Sequence, residues 1–485
     1  MRFLPMNSIK YLLIFFCFST ANVSGAPLIE HPRPIVLPKI TNQTPITLVA
    51  EKGFWTEYLK NNLISEFTRA TGVQVQVKSV SLSDMYQLQT VSMQRGLGKY
   101  DVLTIEAGWA KEWAANGYTV PIAELVETYD AANINEFTEL SGNYYPALVN
   151  ILSYNNDLHS LPYNSYVMGN HYRKDLFDNP LEQQAFIKRF GYPLRPPVTL
   201  EQLRDTADFF TRKKGLTLAG KVLNKDFYGV ALMLGNRPHI NDELSSILWG
   251  LEGKWFFPEY EKGRIKGFHV RADSKQAKQA ARYYVDLMQY AYPANVNFAF
   301  LEAATVLKEG RVAMWPFAYN NLWSVSGQVN NSIPGAQLGI SNVAGGKPYQ
   351  GAYSFAVSYD SKNPQAAYWL LKYLNSFESQ LAYANGGGNP CRLDVILYLK
   401  ETLAHDSAQR QALQSSYLAD QSWQGNVAQY GHFSSTAMGS IYPELMKAAY
   451  RITQKPQDTD NILQHLKVQI TTLQNLYGEE AMLAE

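Results

Sequence analysis

The chain has 485 residues and a nearly balanced charge, with 43 Lys and Arg against 42 Asp and Glu, for a formal net charge of +1. This balance argues against a nucleic-acid-binding surface, because phosphate recognition needs clustered positive charge. At about 150 residues per domain, the length suffices for two or three folded units.

The N-terminus has the pattern of a cleavable export signal. Basic Arg2 and Lys10 precede an apolar run over residues 11–18, and small residues follow up to Ala26. The run is too short to cross a bilayer, which takes about 20 apolar residues, and no later stretch approaches that length. We therefore expect residues 1–25 to be removed on export to the periplasm, and the mature protein to have no stable membrane insertion.

The two cysteines bear on anchoring and on disulfide formation. Cys17 lies in the apolar run, but bulky Phe15 and Phe16 stand where a lipid-attachment signal has small residues. We therefore expect a soluble protein without a lipid anchor. Removal of the signal leaves Cys391 alone, so no intramolecular disulfide is expected despite the oxidising compartment.

Predicted strands and helices alternate after a Pro-rich stretch at 26–44, which lacks a helical period and is predicted to be an extended arm. Short apolar or alternating segments predict strands, and apolar residues at helical spacing predict helices. The strands are predicted at 47–50, 73–77 and 100–105, and the helices at 59–71, 83–94 and from Trp109 onward. This order favours an α/β fold in which helices cover a parallel sheet.

Two loops of this predicted sheet combine a carboxylate with an aromatic ring. Glu51 and Trp55 follow the first strand, and Glu106 and Trp109 follow the third. Ligands of open parallel sheets bind beyond the carboxyl ends of the strands. Carboxylates accept hydroxyl hydrogen bonds and ring faces cover apolar C–H groups, so the loops are candidate carbohydrate-binding loops. Trp109, four residues before Trp113, fits a buried helix face equally well.

Several motifs along the chain share their order and spacing with a known family. They are Phe67–Val75, Tyr100–Leu103, Leu161–Asn164, Tyr172–Phe177, Pro197–Leu203, Lys308–Trp315 and Ser361–Ala367. Together they resemble the family 1 extracellular solute-binding proteins of ABC importers, the class that includes maltodextrin-binding proteins.

Within that family, the segments 235–238 and 249–256 are most similar to binders of polyols and glucosides. Those members often carry an acidic residue directly after the Ala-Met-Trp motif, where this chain has Pro316 and Phe317. The departure removes a hydroxyl acceptor. The identity of the ligand therefore stays open, and a larger or more apolar one is an alternative.

The resemblance implies a two-lobed, type II periplasmic-binding-protein fold, each lobe a mostly parallel sheet flanked by helices, with three crossings between the lobes. The expected lobes are 45–162 with 350–390 and 163–349 with 391–485, and the third crossing is expected at the glycine run 386–388. The fold implies hinge closure around the ligand.

Twelve residues are candidate ligand contacts. Glu51, Trp55, Glu106 and Tyr163 have positional support from strand ends or from the first crossing. Eight more rest on the resemblance and on side-chain chemistry, since an Arg fork donates to vicinal hydroxyls and Trp faces stack: Arg237, His239, Trp249, Trp255, Trp315, Tyr319, Tyr353 and Arg392. Core packing or a surface ion pair explains each of these eight equally well.

The C-terminal apolar positions recur at helical spacing from Ile462 to Leu476. They predict a final helix packed on the second lobe rather than a dimer seam, and hence a monomer.

Two other functions remain as alternatives. A periplasmic carbohydrate-active enzyme would use Glu51 and Glu106 as a carboxylate pair, but the chain has no Gly-x-Ser-x-Gly or His-Glu-x-x-His motif. Its eight histidines lack metal-ligand spacing. A ligand sensor would use the same fold. The expected function is a non-enzymatic binding protein without cofactor or metal, whose partners are a carbohydrate or polyol and the permease subunits of an ABC transporter.

Overall fold

The computed structural model of the protein describes residues 34–262, 264–294, 298–403, 410–425 and 432–483. These residues belong to one compact unit, Pro34–Glu485. The predicted export signal lies outside the described residues. Within them, no helix combines the length and the apolar character needed to span a membrane.

The strands of the described chain are numbered in chain order. They are β1 (Ile46–Glu51), β2 (Val75–Val80), β3 (Val102–Glu106), β4 (Ser153–Tyr154), β5 (Asp157–Leu158), β6 (Leu161–Arg173), β7 (Thr217–Leu218), β8 (Lys221–Val222), β9 (Tyr228–Val230), β10 (Phe256–Glu261), β11 (Arg264–Val270), β12 (Val312–Tyr319), β13 (Leu338–Ser341) and β14 (Gln350–Val357).

The helices are numbered in the same way. They are α1 (Phe54–Tyr58), α2 (Ser65–Thr71), α3 (Leu82–Gln94), α4 (Ala110–Ala115), α5 (Ile122–Tyr129), α6 (Ile134–Gly142), α7 (Pro146–Leu152), α8 (Lys174–Phe177), α9 (Pro180–Phe190), α10 (Leu200–Phe210), α11 (His239–Gly250), α12 (Lys275–Leu287), α13 (Phe300–Lys308), α14 (Trp323–Ser326), α15 (Val329–Ser332), α16 (Pro364–Leu374), α17 (Phe377–Asn385), α18 (Leu393–Leu403), α19 (Arg410–Gly425), α20 (Met438–Gln454) and α21 (Thr459–Leu483).

The first part of the chain forms the predicted parallel sheet. β1 runs parallel to β2, with Ile46 opposite Val75, and parallel to β3, with Leu48 opposite Val102. β1 is buried along nearly its whole length, as expected of a strand covered on both faces. Gly72 ends α2 in the left-handed conformation, with φ of +85°, which glycine adopts without a steric penalty. The predicted α/β alternation is confirmed.

The long strand β6 joins two groups of strands in one sheet of order β2-β1-β3-β14-β6-β12-β9, in which β13 also pairs with β6. Its first half, up to Val167, pairs with β14. Its second half, from Met168, pairs with β12 and β13. We call β1, β2, β3 and β14 the first strand group, and β9, β12 and β13 the second. The chain therefore passes from one group to the other within β6.

The C-terminal helices pack on both groups. α20 and α21 pack on each other, and α20 also packs on α11 and on the 3-10 turn Ala107–Trp109. Ile462 and Leu466 of α21 are buried, so the prediction of a packed final helix is confirmed. α18 packs on α17, although the predicted lobes separate these two helices. The lobe boundaries themselves remain predictions.

Candidate ligand-binding cavity

A cavity of about 40 Å³ lies between the two strand groups. Its walls are formed by the carboxyl ends of β1 and β12, by β6 and β14, and by residues of α1, α3, α11, α13 and α20. The lining residues are Glu51, Trp55, Leu82, Asn164, Tyr166, His239, Asp242, Phe300, Tyr319, Asn321, Leu322, Tyr353 and Tyr442. The cavity therefore lies at the carboxyl ends of β1 and β12, the place expected for a ligand in an α/β sheet.

Glu51 is the last residue of β1 and is 9% exposed. Its Oε2 accepts a hydrogen bond from the Tyr353 hydroxyl at 2.8 Å. Burial raises the pKa of Glu51 to about 7, although the bond from Tyr353 lowers it. The loop after the strand is held by Thr56, whose hydroxyl donates to the Glu51 carbonyl oxygen at 2.5 Å. A carboxyl that titrates near neutral pH thus faces the cavity from the first strand group.

Glu106 ends β3 and lies behind the cavity wall. Its Oε2 accepts the Gly108 backbone N–H at 2.7 Å, and its Oε1 accepts the Tyr166 hydroxyl at 3.1 Å. Burial raises the pKa of Glu106 to about 7. Since Tyr166 lines the cavity and Glu106 does not, this carboxyl acts on a cavity ligand through its charge and through Tyr166.

Asp242, in the first turn of α11, supplies a second carboxyl to the cavity. Its Oδ2 accepts the Tyr319 hydroxyl at 2.5 Å, and its Oδ1 accepts the Tyr442 hydroxyl. Burial raises the pKa of Asp242 to about 7, and the charge of Glu106 adds to the shift. α11 and α20 are thereby joined at the cavity wall through one carboxylate.

His239 completes a hydrogen-bonded chain with these groups. Its Nδ1 lies 2.9 Å from the Tyr319 hydroxyl oxygen. Since Tyr319 gives its proton to Asp242, the Nδ1–H of His239 must donate to Tyr319, which leaves Nε2 as an acceptor. Burial and, to a lesser extent, the charge of nearby Arg237 lower the pKa of His239 to about 3, so the ring is neutral.

Aromatic rings from both strand groups surround the carboxyls. The rings of Trp55 and Phe300 lie 6.0 Å apart, one from each side of the cavity. Tyr166 stands perpendicular to Tyr319 with ring centroids 5.5 Å apart, and lies 5.8 Å from Tyr353. Ring faces and hydrogen-bonding groups on one surface suit a ligand with both apolar C–H faces and polar edges.

The structure brings five of the predicted contacts together around the cavity: Glu51, Trp55, His239, Tyr319 and Tyr353. Glu106 lies one layer behind them, as described above. Arg237 is exposed and close enough to influence the His239 pKa, but it does not line the cavity.

Tyr163 and Trp249 lie in the core instead. Tyr163 packs between Phe355 and Tyr383, at ring centroid distances of 4.6 and 4.3 Å. Its place follows from the strand period of two, because the neighbouring Asn164 faces the cavity and successive side chains point to opposite faces. Trp249 stacks on Tyr349 at 5.7 Å, with 10° between the ring planes.

Trp255, Trp315 and Arg392 also have structural partners away from the cavity. The Trp255 Nε1–H donates to Ser245 Oγ at 2.9 Å, and Trp315 is fully buried. Arg392 makes a bidentate pair with Asp394, at 3.0 and 2.6 Å. These positions favour the packing and ion-pair interpretations over direct ligand contact.

Sequence reasoning missed the remaining eight residues of the wall, including Asn164, Tyr166, Asp242, Phe300 and Tyr442. Asn164 belongs to the Leu-Pro-Tyr-Asn motif, and Asp242 follows His239 by less than one helical turn, so both lay beside predicted positions. Tyr442 comes from a helix that no motif marked. Its role depends on how α20 packs against α11.

Solved structures of low sequence identity share the fold over most of the chain. An ABC transporter solute-binding protein from Agrobacterium radiobacter in complex with ribitol has a TM-score of 0.69 and 18% identity, and the match covers 90% of this chain and 100% of that one. A second such protein, from Agrobacterium vitis with D-mannitol, has a TM-score of 0.65 and 18% identity over 91% and 99%. Maltose-bound T. maritima MalE3 has a TM-score of 0.64 and 16% identity over 89% and 100%. The chain thus has the two-lobed fold of solute-binding proteins.

The model of the bacterial extracellular solute-binding protein family matches residues 52–381, more than half of the chain. The protein belongs to this family, which confirms the resemblance carried by the sequence motifs. A comparison with curated proteins found no match.

Proposed function

We propose that the protein is the binding component of an ABC importer, exported to the periplasm, and that it takes a carbohydrate or polyol in the cavity between its lobes. The observation that carries the proposal is the cavity wall, in which Glu51 and Trp55 from the first strand group meet Asp242 and Phe300 on the side of the second. The ribitol, mannitol and maltose named for the similar structures support this ligand class.

Ligand entry in this proposal requires the lobes to separate. A volume of about 40 Å³ accommodates a few water molecules, whereas small-molecule sites have about 300–1,000 Å³. The first lobe would comprise 45–162 and 350–390, and the second 163–349 and 391–485. α18 packs on α17 and also on α19, which packs on β13, so the contacts of α18 reach both sides of this boundary. Ligand contacts made on closure would shift the population toward the closed form that docks on the permease subunits.

Binding rather than catalysis is supported by the environments of Glu51 and Glu106. A glycosidase needs two carboxyls whose pKa values are pushed apart, one to act as acid and one as base or nucleophile. Burial raises the pKa of both residues to about 7, and Glu106 is separated from the cavity by Tyr166. Since Glu106 does not line the cavity, the two carboxyls do not flank a common ligand position. A sensor would use the same cavity, with a membrane receptor in place of the permease.

The experiment is a thermal-shift screen of the mature protein against ribitol, mannitol, maltose and related compounds. A ligand at 100 times its Kd adds about 2.7 kcal/mol to the free energy of unfolding. Trp55→Ala should lower the shift to about half or less, because a tenfold weaker Kd reduces the added stability to about 1.4 kcal/mol. Trp113→Phe is the matched control, because Trp113 is fully buried against Tyr86 and Trp109. A screen in which no compound shifts the melting temperature, or recovery of the ligand in altered form, would contradict the proposal.

A further inference from the structure

The cavity is acidic and lacks a basic partner. Its ionisable lining residues other than tyrosines are Glu51, Asp242 and His239, and no Lys or Arg lines it within the described parts of the chain. Glu106 adds a third carboxyl directly behind the wall. None of the three carboxyls belongs to an ion pair with a described residue. Buried carboxylates usually have such a partner, because leaving their charge uncompensated is costly.

The hydrogen bonds at the wall leave mostly acceptors for a ligand. The tyrosine hydroxyls give their protons to carboxyls, in the pairs Tyr353–Glu51, Tyr166–Glu106, Tyr319–Asp242 and Tyr442–Asp242. Each of these hydroxyls has one proton, so toward the cavity it offers only oxygen lone pairs. Only one oxygen of Glu51 accepts such a bond, and the Nε2 of neutral His239 is also an acceptor. A ligand must therefore bring more donors than acceptors.

One buried amide in the wall is unused. Asn321 is 7% exposed and lines the cavity, and its side chain makes no hydrogen bond to any described residue. Asn164 is 5% exposed, and only its Oδ1 is bonded, by the Asn389 backbone N–H at 3.1 Å. The unbonded amide atoms of both residues are not sealed from solvent, so they are available to hydrogen-bond a polar ligand in the cavity. Their amide groups match hydroxyls, which both donate and accept.

The ring faces favour the same kind of ligand. Trp55 and Phe300 approach each other across the cavity, and Tyr166 and Tyr353 form another part of the wall. The faces of aromatic rings carry partial negative charge and attract cations, most strongly where water is excluded. The aromatic rings and the carboxyls of the cavity therefore both favour a positively charged ligand.

We propose that the ligand is a cationic amino sugar or amino polyol, whose ammonium group binds at the acidic wall formed by Glu51 and Asp242 and whose hydroxyls bind the amides of Asn164 and Asn321. This inference rests on the proposed function, since it takes the cavity to be the ligand site. An ammonium group supplies three donors and the missing positive charge, and its hydrogen bonds to carboxylates are about twice as strong as neutral ones. Binding of the cation would hold both carboxyls in the ionised form.

The test compares matched amine and hydroxyl ligands by isothermal titration calorimetry at pH 8. The probes are 1-amino-1-deoxy-D-sorbitol against D-sorbitol, with putrescine as an amine without hydroxyls. The amino polyol should bind at least about tenfold more tightly than sorbitol, because a charge-assisted bond replaces a neutral one. Putrescine should bind more weakly than the amino polyol, because it has no hydroxyl for Asn321. The affinity for the amino polyol should fall by about a hundredfold between pH 8 and pH 6, about tenfold for each of the two carboxyls with pKa values of about 7 that then take up protons.

Two variants test whether the carboxyls of Glu51 and Asp242 cause the preference for the amine. Glu51→Gln and Asp242→Asn should each remove most of the amine preference. Glu112→Gln is the matched control, because Glu112 is also a buried carboxyl that accepts a tyrosine hydroxyl hydrogen bond, from Tyr86, but it does not line the cavity.

Each other result overturns the inference. Sorbitol binding as tightly as its amine would remove the cationic part and leave the proposed function standing. Putrescine binding more tightly than the amino polyol would remove the hydroxyl part. If neither the amines nor the neutral compounds of the thermal-shift screen bind, the proposed function fails as well.

Discussion

Replacing Glu51 by Gln should stabilise the ligand-free protein at alkaline pH. Burial raises the pKa of Glu51 from 4.5 in the unfolded chain to about 7 in the folded one. The folded protein therefore keeps a proton that the unfolded chain releases between these values. The stability linked to Glu51 is fully present below pH 4.5 and is lost as the pH rises through 7.

The magnitude follows from the size of the pKa difference. At about 1.4 kcal/mol per pKa unit, the ionised Glu51 costs on the order of 3 kcal/mol at pH 8.5. Glutamine stays neutral and still offers an oxygen to Tyr353, so the variant avoids this cost. With an unfolding entropy of about 2.1 cal/mol/K per residue over about 450 residues, the difference corresponds to a melting temperature about 3 °C higher.

The assay is thermal unfolding of wild type and Glu51→Gln from pH 4.5 to 8.5 without ligand. The two melting temperatures should coincide near pH 4.5, diverge as the pH rises from 4.5 to about 7, and keep a constant separation above that. Tyr353→Phe provides a second arm, because the Tyr353 hydroxyl bond lowers the Glu51 pKa. Its loss should move the divergence to higher pH. Parallel pH profiles for wild type and Glu51→Gln would refute the reasoning, since Glu51 would then titrate alike in both states.

Four further variants separate the cavity from the scaffold. Trp55→Ala should weaken ligand binding, measured by calorimetry, by at least tenfold. Tyr163→Phe should leave the affinity unchanged and shift the melting temperature little, because the buried Tyr163 hydroxyl has no partner among the described residues. Arg392→Ala should lower the free energy of unfolding by roughly 3 kcal/mol in urea titrations, because it leaves Asp394 without its bidentate partner. Thr199→Ala removes the capping box of α10 and should cost about 1 kcal/mol in the same titration without changing affinity. A loss of affinity in any of the three scaffold variants would contradict this separation.

Local patterns in the sequence were enough to predict the α/β fold and its first elements. The predicted strand 47–50 is observed as Ile46–Glu51, and the helix predicted at 83–94 is observed as Leu82–Gln94. Such elements depend on apolar periodicity and on stop signals such as Gly72, both of which neighbouring residues carry. The strand ends located in this way correctly indicated that Glu51 faces the region between the strand groups.

Some predicted ligand contacts point away from the cavity, and local sequence patterns do not predict this. Successive side chains of β6 point to opposite faces, so Tyr163 lies in the core whereas Asn164 and Tyr166 face the cavity. The motif does not specify which of the two faces is buried. Trp315 and Arg392 carry chemistry suited to a ligand but find partners inside the protein. The choice between these outcomes depends on residues far away in the chain.

The sequence by itself determined the fold class, the family and the carboxylate at the end of β1, because these follow from local periodicity and from ordered motifs. Only the tertiary structure decided that Asp242 joins Glu51 at one cavity, that Tyr442 of α20 reaches it, and that no described Lys or Arg lines that cavity. The physical reason is that a site between two strand groups is made by contacts across hundreds of residues, and the charge balance of its wall exists only once both groups have packed.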